Sequence, residues 1–300
     1  MAFLHAVSSG NSATKNVLKG RSLTPYLLLF PGLIWLITFF IIPIFSLAST
    51  STMVRPDGAQ VGVYEQKLRF ANYVDAFVAN QDQYLRSFFY AALATLLALA
   101  IAYPLAYAIA FKSGKYRNIL LVLVIAPFFT SFLLRTIAWT QILADSGPVV
   151  SAIKVLPFID DLFRINNTST AVVIGLAYNF LPFMTLPLYA SLERIDPRTL
   201  EAAGDLYANG LTTFRKVTLP LSMPGVVAGT LLTFIPAAGD YVNAAILGNP
   251  NTKMIGNVIE SRFFAVVDYP TAAALSFTLM ATILILVTLY IRKSGTDELV

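Results

Sequence analysis

Residues 87–111 read SFFYAALATLLALAIAYPLAYAIAF. The run carries no charged side chain, and it exceeds the about 20 mainly apolar residues a helix needs to cross a hydrocarbon core of about 30 Å. Further runs of this kind lie at about 26–48, 119–143, 171–192, 226–247 and 270–291. The runs at 87–111 and 270–291 are the cleanest. Internal prolines mark the others: Pro31 and Pro43, Pro127, Pro182 and Pro187, and Pro236. Such prolines are tolerated in a bilayer where neighbours re-satisfy the freed backbone groups. They predict kinked helices, either around a pathway or as ordinary bends in a packed bundle. The expected fold is all-α: a polytopic membrane protein of about six transmembrane helices. A tail at 1–22 precedes the transmembrane region at 23–292, and a second tail follows at 293–300.

Composition supports the bilayer as solvent. Hydrophobic residues make up 57% of the 300 and charged residues 12%, against about 25% charged in ordinary soluble domains. Mean hydropathy is +0.70. The net charge of +5 comes from basic residues flanking apolar runs, which is a membrane-topology pattern. No nucleic-acid motif accompanies them, so no nucleic-acid partner is expected. The chain has no Cys and a single His, His5, which excludes thiol catalysis, Cys-ligated metals and a two-His metal site. Gly114-Lys115 is followed by Tyr116, with no earlier glycine at the spacing of a Walker A loop. Neither a catalytic residue nor a metal or cofactor of the chain's own is expected. The apolar run after residue 22 is too long for a signal h-region, so no cleavable signal peptide is expected.

Basic residues orient the spans. With the N terminus inside, the inner side collects Lys15, Lys19, Arg21, Lys112, Lys115, Arg117, Arg194, Arg198, Arg215, Lys216, Arg292 and Lys293. Arg55, Lys67, Arg69, Arg86, Lys154, Arg164, Lys253 and Arg262 fall outside. Twelve against eight puts both termini in the cytoplasm. The loop at about 50–86 is amphipathic, with Phe70, Tyr73, Phe77 and Tyr84 at near-helical spacing, and is expected along the outer surface.

The inner segment at 196–224 holds the most specific pattern. Asp196 suits a helix N-cap and Pro197 its first turn. Asn209-Gly210 reads as a turn. A second short helix through Phe214 is expected to stop at Leu219-Pro220, with Pro224 opening the next span. Glu201-Ala202-Ala203, then Asp205, Gly210, Phe214, and Leu219-Pro220 before Pro224, resemble the EAA loop of type I ABC-importer permeases. The resemblance implies a coupling helix that docks on an ATPase subunit, which would bind ATP and Mg. It also implies a second homologous permease subunit, two ATPase subunits, an extracytoplasmic solute-binding protein and a bacterial cytoplasmic membrane. The family usually has Gly where this chain has Tyr207, and Gly210 is a candidate to take over the turn. Arg135-Thr136-Ile137-Ala138-Trp139, Asn179-Phe180-Leu181-Pro182-Phe183, the run from Phe234 to Tyr241, and Met254-Ile255-Gly256-Asn257 are similar to the polyamine (spermidine/putrescine) branch of that family. Permeases for ferric iron, thiamine and phosphonates share parts of these runs.

Charged and polar residues within spans are functional candidates because burying them in hydrocarbon is costly. At about 1.5 Å of rise per residue, Arg135, Asn179 and Asp240 fall at one depth. They form a candidate substrate pathway with Trp139 and Tyr241, whose rings suit a cationic amine. In the alternative reading, Asp240 pairs with Arg135 and only joins two helices. Other classes fit less well. An intramembrane aspartyl protease needs a second catalytic Asp, and Ala237-Ala238-Gly239-Asp240 lacks the first Gly of its motif. A secondary transporter usually shows internal repeats and midplane carboxylates. A structural subunit without transport is the remaining alternative.

Overall fold

Inside a bilayer each backbone donor must be met within its own segment, so long apolar runs become helices. The computed structural model describes residues 24–156, 160 and 163–294, in two units, 1–49 and 50–300. The expected tail at 1–22 lies outside the described residues, as do 295–300.

The described part of the first unit is helical. α1 (Thr24–Leu36) passes through a π-helical turn (Ile37–Ile41) into α2 (Ile42–Ser51). There Ile42 N–H donates to Ile37 O, five residues back. This wider register lies next to Pro43, which lacks a donor, and the helix continues instead of breaking.

The second unit opens with a short antiparallel hairpin, β1 (Met53–Val54) and β2 (Glu65–Gln66), with Met53 opposite Gln66. α3 (Ala71–Ala79) follows and packs on the last helix. The loop at about 50–86 therefore carries regular structure. Tyr73 and buried Tyr84 pack inward, whereas Phe70 and Phe77 remain exposed. The rest of the unit comprises α4 (Gln81–Phe111), α5 (Arg117–Ile125), α6 (Phe132–Ile142), α7 (Pro148–Lys154), α8 (Ser169–Glu193), α9 (Pro197–Asp205), α10 (Gly210–Thr213), α11 (Leu219–Ala238), α12 (Val242–Leu247), α13 (Ile255–Glu260) and α14 (Tyr269–Ser294).

α4, α8 and α11 form the core. Ala91, Ala94, Ala98, Ala102 and Ala106 are buried along α4 at spacings of three and four. Small residues on one face let backbones approach without a hydrophobic drive between helices. On α11 a β-carbon at Gly225 would stand 2.5 Å from Ser191 Cβ, and one at Gly229 would stand 2.9 Å from Met184 Sδ. At Gly225 the Pro187 carbonyl would also stand 2.7 Å away, so only glycine fits that crossing with α8, whereas at Gly229 a larger residue requires the Met184 side chain to shift.

Side-chain ties define two ends of the bundle. Tyr103 of α4 bonds Ser222 of α11 at 2.7 Å, and Arg117 of α5 pairs with Glu193 of α8. At the other end Tyr84 of α4 donates to Leu275 O at 2.8 Å, and Ser87 accepts from Ile255 N at 2.7 Å.

Among the described residues, five helices are long and apolar enough to cross a membrane, or six if one bent pair counts as a span. Three expectations change. The run 119–143, expected to be a kinked span, is broken outright: its two halves bend by 98°. The chain turns extended at Thr130 after the turn that holds Pro127. The run 226–247 is also divided. α11 ends at Ala238, and Gly239, Asp240 and Tyr241 link it to α12, so Asp240 lies beyond the long helix. Finally, the helix through Phe214 does not stop at Leu219-Pro220. It is continuous over Gly210–Ala238, because a π-helical turn (Phe214–Thr218) lies before Pro220. There Leu219 N–H reaches back to Phe214 O, a register compatible with the proline's missing donor.

Candidate functional site

The segment that begins at Asp196 holds both ends of its first helix with its own groups. Asp196 Oδ1 accepts from Arg198 N at 2.9 Å, and Pro197 fills the first turn, where its missing donor has no consequence. At the far end Ala208 N–H bonds Ala203 O at 3.1 Å and Tyr207 N–H bonds Gly204 O at 2.9 Å. This is the Schellman closure, which demands a left-handed residue just past the helix. Tyr207 fills that position with φ 58°. Gly210 does not take over the turn. It starts α10, whose N-cap Asn209 accepts from Thr212 N at 2.8 Å.

α9 presents two faces. Ala203 is buried, and Leu200 packs on the core. Glu201, Ala202, Gly204 and Asp205 are exposed. Leu206 is 81% and Tyr207 99% exposed, and Leu211 is exposed beside them. Phe214 stands edge-on to Tyr103 at 5.5 Å, so the segment is tied to α4 just above α11. Leu219 is half-buried and Pro220 exposed.

A tyrosine in the left-handed region is strained by roughly 1–2 kcal/mol. Tyr207→Gly is therefore expected to raise the thermal midpoint of the purified protein. A lower midpoint would contradict the turn assignment.

The intramembrane candidates fall into one network and one outlier. Asn179 Nδ2 donates to Thr136 Oγ1 on α6 at 3.1 Å and to Asn243 Oδ1 on α12 at 3.0 Å. Asn243 N–H donates to Asp240 Oδ1 at 2.8 Å, so Asp240 caps the short helix after the break. Tyr241 is anchored through its carbonyl, which accepts from Asn257 Nδ2 at 2.7 Å. Trp139 packs edge-on against Tyr178 at 5.1 Å. Arg135 stands apart. It faces the rings of Phe128 and Phe132 at 5.2 and 5.8 Å, and no ion pair joins it to Asp240 among the described residues.

Residues 102–293 match the family described as the binding-protein-dependent transport system inner membrane component. The chain belongs to this family. It is 38% identical over 261 residues to the spermidine/putrescine transport system permease protein PotB of Haemophilus influenzae, covering 87% of this chain and 90% of that protein. It is 36% identical to PotB of Escherichia coli K12, covering 87% and 94%. It also resembles an E. coli inner membrane ABC transporter permease, YdcU, at 34% identity over 73% of this chain and 74% of that protein. Among solved structures, a bacterial transporter that imports the acidic polysaccharide alginate matches with TM-score 0.64 at 18% identity, covering 92% and 96% of the two chains. The same kind of transporter bound to its periplasmic protein matches with TM-score 0.67 at 18% identity, covering 92% and 95%. These two establish the fold.

Within this binding-protein-dependent permease, sequence reasoning overlooked Asn243 as a network member. Its signal was a lone amide within an apolar run, three residues after Asp240. Thr136 and Asn257 lay inside quoted runs but had no role, because a hydroxyl or amide shows its partner only once helices are placed.

Proposed function

We propose that this chain is the permease subunit of an ATP-binding-cassette importer of spermidine- and putrescine-like polyamines. It forms half of the translocation pathway, with a second homologous permease forming the other half. Two ATPase subunits bind ATP and Mg and hydrolyse the nucleotide, and an extracytoplasmic binding protein delivers the solute. The chain itself carries no catalytic group and no cofactor. The coupling role rests on one observation: the capped helix α9, the turn after it and the start of α10 leave Glu201, Leu206, Tyr207 and Leu211 exposed together. An exposed apolar group of this kind marks a protein contact. Motion of the ATPases passes through α9 and Phe214 into α4 and α11. The relatives described as spermidine/putrescine permeases support the substrate.

Asp240 supplies negative charge to the pathway for the passing cation. It is buried and has no cation among the described residues within ion-pair distance. Asn179 holds the neighbouring helices in register through Asn243. Tyr241 is half-exposed beside Asp240, where its ring is available to an ammonium group. Trp139 flanks the same network.

The test is reconstitution. Vesicles holding this chain with its cognate permease, ATPases and binding protein should accumulate labelled spermidine or putrescine only with ATP. Uptake of ferric iron, thiamine or a phosphonate in place of polyamines would overturn the substrate assignment.

Both termini lie in the cytoplasm, which puts the loop at 112–117 inside and residues 248–254 outside. The chain lacks cysteine, so single cysteines report without background. Asn251→Cys should react with an impermeant thiol reagent in spheroplasts, and Lys115→Cys only after the membrane is opened. The reverse pattern would place the coupling segment outside and remove its ATPase role.

A further inference from the structure

Arg135 carries a charge that the described chain does not answer. Its Nε and Nη1 are buried without a hydrogen-bond partner, and no described carboxylate lies within 4.0 Å. Rings on two sides stabilise the charge but offer no lone pair to its directional donors. Asp240, the partner that the sequence offered as an alternative, is not within that distance.

The depth of the guanidinium narrows what can answer it. Phe128 packs on Phe183 at 4.9 Å and Phe132 on Phe180 at 6.2 Å. The cation is thus held at the level of residues 180–183. With about 1.5 Å of rise per residue, that level is near the middle of α8 (Ser169–Glu193). Lipid headgroups are more than a side-chain length away, and acyl tails have no acceptor. A protonated polyamine is itself a cation and a donor, so it cannot fill the gap. This departs from the expectation that Arg135 lines the pathway as a substrate contact. Water can meet the open end of this half-buried group without answering its charge; a fixed oxyanion at mid-membrane depth does answer it, and a side-chain carboxylate on another protein helix provides one. The α6 face next to Arg135 is open to such a helix: Leu134 is 64% exposed, and Leu133 and Ile137 are exposed on either side.

We propose that Arg135 pairs across the subunit interface with a membrane-embedded carboxylate of the second permease subunit, so that α6 forms part of that interface. The inference rests on the pairing of two permeases proposed above. An unanswered guanidinium would then be a specificity device, because an acidic partner helix satisfies it and an apolar one leaves it stranded.

The test uses the assembled transporter. A photoreactive p-benzoyl-phenylalanine in place of Leu134 should crosslink to the second permease on illumination. Arg135→Gln should lower recovery of that subunit with this chain at least about tenfold, and Arg135→Lys should lower it less. Arg135→Glu should also lose the subunit, and regain it when one acidic residue within the partner's spans becomes arginine. A crosslink to lipid alone, or undiminished recovery with Arg135→Gln, overturns the proposal. If the unaltered chain retains no second permease, the pairing of permeases fails with it. If the unaltered chain retains one and Arg135→Gln changes nothing, only the role of Arg135 fails.

Discussion

Replacing Ala203 by leucine is expected to abolish ATP-driven uptake while leaving the protein in the membrane. Ala203 is 8% exposed and faces inward on α9 (Pro197–Asp205), on the side of Leu200. Three added carbons have no room there. Overpacking of this kind costs about 1–3 kcal/mol and is relieved by moving the helix. α9 is the element that moves, because it is one short helix held by its caps and by Leu200, whereas the α4–α8–α11 core lies beneath it. A displaced α9 carries Glu201, Leu206 and Tyr207 out of register with the ATPase. Glu201→Lys tests the same surface without touching packing. Glu201 is exposed, so charge reversal should leave stability unchanged and weaken ATPase recovery and uptake together. Normal uptake in both variants would remove the coupling role from this segment.

Much of the architecture was legible because bilayer physics acts through composition and length. The apolar runs at 171–192 and 270–291 correspond to α8 and α14 within a few residues. The run at 87–111 lies within a helix that starts at Gln81 and tolerates Pro104. The breaks were less legible. Pro127 and Gly239 each permit a bend, but permission is not geometry. Pro182 and Pro187 sit inside an unbroken α8, and Pro220 and Pro224 inside an unbroken helix from Gly210. Whether a proline breaks a helix depends on neighbours that re-satisfy the freed carbonyl, and these are non-local. The helix contacts at Gly225 and Gly229 carry a local signature, glycines four apart, which becomes informative only with Met184 and Ser191 opposite.

The coupling segment was legible for a different reason. Its caps are local, and Asp196, Pro197 and Asn209 act within three residues of themselves. Beside the stop expected at Leu219-Pro220, the local error concerned Tyr207. The chain placed a tyrosine in a conformation that favours glycine, and relocating the turn to Gly210 followed propensity where the backbone followed the Schellman bonds. The intramembrane residues were legible individually but not in their pairing. Asn179 and Asp240 join through Asn243, whereas Arg135 turns toward Phe128 and Phe132.

Asp240→Asn should leave the assembled complex intact and reduce spermidine uptake at least about tenfold, the loss expected when one charge contact of about 1.4 kcal/mol disappears. Two roles meet in this carboxylate. One oxygen accepts from Asn243 N–H in the first turn of α12 (Val242–Leu247) at 2.8 Å, and the negative charge meets no cation among the described residues within ion-pair distance. Asparagine caps a helix about as well as aspartate, so this substitution keeps the first role and removes the second. Asp240→Ala removes both. It should lose uptake and also about 1 kcal/mol of stability, the usual cost of a lost N-cap, seen as a lower thermal midpoint and less assembled complex. Adding Arg135→Gln to Asp240→Asn should not restore uptake, because the two side chains form no ion pair. Uptake restored in the double variant would mean that they pair in the working transporter. Full uptake by Asp240→Asn alone would reduce Asp240 to a helix cap, and the charge that attracts the polyamine would have to come from the second permease.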